Sequence, residues 1–114
     1  MINLTTAKRL DKLNLPIIQQ VMMDKNDNYY PNPTIEELLE LLPAHITYKE
    51  KEEQRGNYVA TLTMEKWDIT NTLSDYTVKY CNYYRGYERF TVHHKNLAEA
   101  LARLLIKLTE EGLI

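Results

Sequence analysis

Leu97, Leu101, Leu104 and Leu108 recur at spacings of four, three and four, with Ala100 and Leu105 on the same face, which predicts a long amphipathic helix near the C-terminus. Asn96 stands at its cap position, Glu99 at the capping-box position and Gly112 just past its end. A shorter stripe, Ala7, Leu10 and Leu13, predicts a first helix capped by Thr5 or Thr6 and stopped by Leu15-Pro16, because proline disfavours helical geometry at the residue before it. The strongest local signal is Thr34-Ile-Glu-Glu37. Thr34 is expected to accept from the Glu37 amide while the Glu37 carboxylate returns to the Thr34 amide. The helix begun there buries Ile35, Leu38, Leu39 and Leu42 and ends at Pro43.

Between these helices the period falls to two. Ile17–Met23 and Tyr29-Tyr30 flank the turn-rich Asp24–Asn28 and read as a loose hairpin. Gln54-Arg-Gly-Asn57 separates two further strands, Ile46–Glu53 and Tyr58–Glu65. Trp67 through Asp75 reads as a connection, and Thr77–Tyr84 as the next strand. The expected fold is a single α+β domain over residues 1–114: a small antiparallel β-meander covered mainly on one face by helices, with the C-terminal helix as principal cover.

Composition narrows the class without naming a function. With 44% hydrophobic and 26% charged residues, 114 residues suffice for one core without metal or disulfide staples. Cys81 is the only cysteine, so no internal disulfide forms, which agrees with a cytoplasmic location. Neither a signal peptide nor a membrane span is indicated, so no membrane partner is expected. Glycine-rich phosphate loops are absent, and no cofactor is implied. A net charge of −2 argues against a general nucleic-acid binder. Residues 76–95 nevertheless carry a net +3, leaving −5 on the rest.

The order of short helix, tyrosine-bearing hairpin, Tyr30-Pro-Asn-Pro-Thr-Ile-Glu-Glu-Leu-Leu-Glu-Leu-Leu, meander and terminal Asn-Leu-Ala-Glu-Ala-Leu-Ala-Arg-Leu-Leu helix resembles the small proteins of phages, prophages and mobile elements in Bacteroides-type bacteria. That group carries no assigned activity or catalytic residues. The resemblance implies an accessory protein that acts by binding a bacterial or phage protein, as monomer or homodimer.

Five of the nine tyrosines lie between Tyr76 and Tyr87, interleaved with Lys79 and Arg85 and followed by Arg89. Strand alternation splits them. Val78, Tyr80, Asn82 and Tyr84 share one face, so Tyr80 and Tyr84 are assigned to the core. Lys79, Tyr83, Arg85, Tyr87 and Arg89 are the candidates for an exposed interface, because tyrosine and arginine are enriched among interface hot spots. The same patch suits single-stranded nucleic acid, with rings stacking on bases and cations meeting phosphates. A third reading is a small hydrolase built on Cys81, which would need His93 or His94 as its base. His45, His93 and His94 lack a metal-ligand spacing.

Overall fold

A computed structural model describes the backbone of residues 1–15, 20–69 and 73–114. Among these, helix α1 spans Leu4–Asp11, α2 spans Ile35–Leu41 and α3 spans Leu97–Glu110. Strands β1 (Val21–Met23) and β2 (Tyr29–Pro31) form a two-stranded hairpin packed on α1. Strands β3 (His45–Tyr48), β4 (Tyr58–Ile69), β5 (Leu73–Asn82) and β6 (Tyr87–His94) form an antiparallel meander in the order β3-β4-β5-β6. The expected α+β architecture is observed, with α3 lying across β5 and β6.

The helix faces follow the sequence periods. Leu101, Leu104, Leu105 and Leu108 of α3 are fully buried against Leu10 of α1, Leu38 of α2, and Val78 and Tyr80 of β5. Burying each such side chain contributes about 1.5–3 kcal/mol before conformational entropy is subtracted. The capping box on α2 forms as read, with Thr34 Oγ1 accepting from the Glu37 amide and Glu37 Oε1 from the Thr34 amide. Ile35 departs from its expected burial and is 37% exposed. It is the first residue of the helix, where the stripe it shares with Leu38 and Leu42 runs out to solvent.

Several boundaries differ from those the sequence predicts. The cap of α1 is Asn3, not Thr5 or Thr6. Strand β3 ends at Tyr48, since Lys49–Glu53 is drawn off into a solvated turn rather than paired. Trp67–Ile69 and Leu73–Asp75 are strand rather than connection: β4 and β5 pair from Thr61↔Cys81 out to Ile69↔Leu73, and residues 70–72 lie outside the described ones. Of the expected strand Ile17–Met23, Val21–Met23 is found and residues 17–19 lie outside the described ones.

Two irregularities shape the sheet. Pairing of β5 with β6 shifts between Val78 and Tyr80, opposite Phe90, whose φ of +59° is the left-handed kink of a bulge. The second is unequal strand length. β3 pairs with β4 only as far as Thr61, so β4 beyond Leu62 has no neighbour on that side among the described residues.

Candidate functional site

Strand β5 ends two residues earlier than alternation along Thr77–Tyr84 suggests, because Asn82 caps a single 3-10 turn, Tyr83–Arg85, by accepting from the Arg85 amide at 3.3 Å. Gly86 then closes the turn at φ +65°, where a side chain would be strained although space is open around it. This early stop corrects the core assignment of Tyr84. Its ring leaves the sheet and is 102% exposed, while Tyr80 is fully buried as expected.

The five interface candidates fall into different environments. Tyr83 is 68% exposed and its hydroxyl donates to Glu65 Oε1 at 2.8 Å, which raises its pKa. Arg85 folds back onto Glu50, donating from Nε at 3.1 Å and Nη2 at 2.7 Å, and lays its guanidinium 4.1 Å from the Tyr58 ring centroid. That bond lowers the Glu50 pKa and raises the Arg85 pKa further. Tyr87 is half-buried, stacked on Tyr48 with centroids 3.6 Å apart and planes 11° apart. Arg89 is exposed beside Phe90. Lys79 is the clear correction, being only 8% exposed.

Lys79 lies on the face without helices, yet Glu88 Oε1 at 2.8 Å and Glu65 Oε2 at 3.7 Å flank its ammonium and the Tyr83 ring lies 5.8 Å away. The bond to Glu88 raises its pKa against the opposing effect of burial. Two of the expected cations are therefore matched by carboxylates.

Tyr48, Tyr58, Tyr87 and Arg85 form a stack that sequence reading did not assemble. The Tyr48–Tyr87 contact joins β3 to β6, the two outermost strands, so the sheet curls at the end where the 3-10 turn projects. The missed signal is Asn82-Tyr-Tyr-Arg-Gly86 itself. An Asx cap four residues before a glycine marks a turn, not the end of a strand.

The geometry brings neither His93 nor His94, the expected bases, to Cys81. The thiol is buried opposite Glu88 and lies 3.1 Å from Thr63 Oγ1. His93 pairs opposite Thr77 and bonds its hydroxyl at 2.7 Å, four residues from Cys81 along β5, or roughly 13 Å. His94 accepts the Asn96 amide through Nδ1. No group of three metal-ligating side chains occurs among the described residues, and no helix there is long and apolar enough to cross a membrane. Comparison of the chain with protein-family models, curated proteins and solved structures finds no match.

Proposed function

We propose that the protein is a non-enzymatic binding module that docks a protein partner through the Tyr83–Tyr84 turn, with Arg89 and Tyr87 at its margin. The observation that carries this reading is Tyr84, whose ring is fully exposed beside a two-thirds-exposed Tyr83 on a turn fixed by Asn82, Gly86 and the Arg85–Glu50 pair. The Tyr84 ring covers nothing in the fold, and the neighbouring Tyr83 ring keeps most of its surface in water although its hydroxyl is bonded to Glu65. They supply contact area at low entropic cost on binding. The partner expected from the sequence resemblance is a bacterial or phage protein met in the host cytoplasm, with the chain as an accessory protein of a phage or mobile element.

Protein is favoured over single-stranded nucleic acid because Lys79 and Arg85 are engaged by Glu65, Glu88 and Glu50. Cations already matched offer little to phosphates.

The test captures partners from lysate of a Bacteroides-type host, purifies the captured protein and measures its affinity for wild type and for Tyr83→Ser/Tyr84→Ser. Loss of two hot-spot rings weakens binding by at least about thirtyfold. Equal affinity overturns the assignment. Binding to an unstructured DNA oligonucleotide with a log-linear salt dependence, lost in the same variant, replaces it with the nucleic-acid reading.

A further inference from the structure

A concavity that shares no residue with the tyrosine turn opens between α1, β6 and α3, with a volume of about 460 Å³. Thr5 and Arg9 line it from α1, Thr91 and His93 from β6, and Arg103 and Lys107 from α3. Arg103 and Lys107 stand one helical turn apart, a like-charge spacing that disfavours the helix slightly. Arg9 comes to the same cleft from another helix. Three cations thus converge on one concavity in a chain whose net charge is −2.

Their existing partners leave donor capacity. Arg103 uses Nε on Glu99 Oε2 at 2.6 Å, but that carboxylate is already bonded by the Asn3 amide and the Thr6 hydroxyl. The Arg103 side chain is 41% exposed, and its terminal nitrogens bond no described residue. Lys107 Nζ donates to the Thr91 carbonyl at a long 3.4 Å. Because that carbonyl points to α3 rather than β5, strand alternation turns the His93 amide the same way, toward the cleft. Among the described residues Arg9 is held only by Glu110, in a pair with side chains 51% and 57% exposed, and such a surface pair is worth at most about 1 kcal/mol.

We propose that this cleft binds a small phosphate-bearing ligand, its phosphate seated between Arg103 and Lys107, with Thr5, Thr91 and the His93 amide completing the donor set. A planar fork, a point charge, hydroxyls and an edge amide converging from three elements suit an anion with three terminal oxygens better than a flat carboxylate. The volume falls within the range of small-ligand sites and exceeds what a bare phosphate fills, so an organic portion is accommodated. Glu110 at the rim opposes the anion and competes for Arg9.

Amide NMR titrations at constant ionic strength with inorganic phosphate, glucose 6-phosphate and AMP test the site and separate free phosphate, sugar phosphate and nucleotide as sources. Saturable shifts at Thr5, Arg9, Thr91 and His93 are expected for at least one probe. Lys107→Gln, at an exposed position that leaves the core intact, weakens that probe about tenfold or more. Glu110→Gln tightens it, which a general loss of stability would not do, and Arg85→Gln leaves it unchanged. Absence of saturable shifts with all three probes, or equal affinity in the Lys107 and Glu110 variants, overturns the proposal.

Discussion

Glu99 on α3 caps α1 rather than its own helix: its Oε1 accepts the Asn3 amide at 2.7 Å across 96 residues of sequence, while Oε2 takes the Thr6 hydroxyl and Arg103 Nε. The capping-box role expected for it is vacated because the Asn96 amide donates to His94 Nδ1 instead. Asn96 still caps α3 by accepting from the Glu99 amide. One buried carboxylate therefore fastens the N-terminal helix to the C-terminal one, at the start of each.

Glu99→Gln is expected to lower the unfolding free energy by about 2–3 kcal/mol, because a charged acceptor is lost and the three donors around it are left poorly matched. Chemical denaturation of both proteins measures it. Burial acts to raise the Glu99 pKa, but the Asn3, Thr6 and Arg103 bonds outweigh it and hold the value below the usual 4.5. A depressed folded value places the stabilisation above the unfolded pKa and removes it as pH falls through the folded one. Wild type should lose stability in acid below about pH 4.5, and the variant should show a shallower acid limb, with Asp24 and Glu50 supplying what remains. Parallel acid limbs would show that Glu99 carries no such linkage.

The contrast between Thr34 and Glu99 shows what was legible. Thr34 and Glu37 complete their bonds within one turn, so the start of α2 is readable from four residues. The leucine period of α3 is likewise local, and its burial follows from spacing alone. Glu99 has equally good local reasons to cap α3, and only the arrival of Asn3 decides otherwise. The exposure expected of Lys79 failed on the same ground. Alternation assigned Lys79 to a face correctly, but its burial depends on Glu65, Tyr83 and Glu88, three residues on three different elements. Trp67–Ile69 and Leu73–Asp75 lacked a clear period because their strand character comes from pairing with each other.

Tyr80 places its hydroxyl against the Pro43 carbonyl at 2.6 Å, tying the middle of β5 to the end of α2. Tyr80→Phe is expected to cost about 1 kcal/mol, since Pro43 is only half-buried and its carbonyl regains water once its donor is lost. Burial pushes the Tyr80 pKa up to about 12 from 10. Stability linked to a raised acid is present below the unfolded value and lost as pH rises through the folded one. The phenylalanine variant should therefore lose less stability than wild type between pH 10 and 12 in urea titrations. An unchanged alkaline slope would contradict the assignment.

Tyr48 shows the opposite balance. Its ring is engaged by Tyr58 and Tyr87, but its buried hydroxyl has no hydrogen-bond partner among the described residues. Burial, reinforced by Glu50, also raises its pKa. Tyr48→Phe keeps the stack and removes the unmatched group, so it should raise the unfolding free energy by about 1 kcal/mol. Calorimetry decides the sign, and a destabilised variant would reveal a partner for the hydroxyl.

Tyr83 and Cys81 permit a test of the turn that needs no ligand. Cys81 is 4% exposed although it faces away from the helices, and Tyr83 lines the same small recess of about 100 Å³ together with Gly86, Tyr87 and Glu88. The thiol's protection is thus local, provided by the turn rather than by the core. A local cover opens at a small fraction of the global unfolding free energy, and removing it exposes the group without unfolding the domain. Tyr83→Ala should accelerate reaction of the thiol with a disulfide reagent about tenfold or more while leaving the melting transition cooperative. Tyr84→Ala, which removes a ring that covers nothing in the fold, should leave the rate unchanged. Equal rates in wild type and the Tyr83 variant would place the barrier in global unfolding and remove Tyr83 from its role over Cys81.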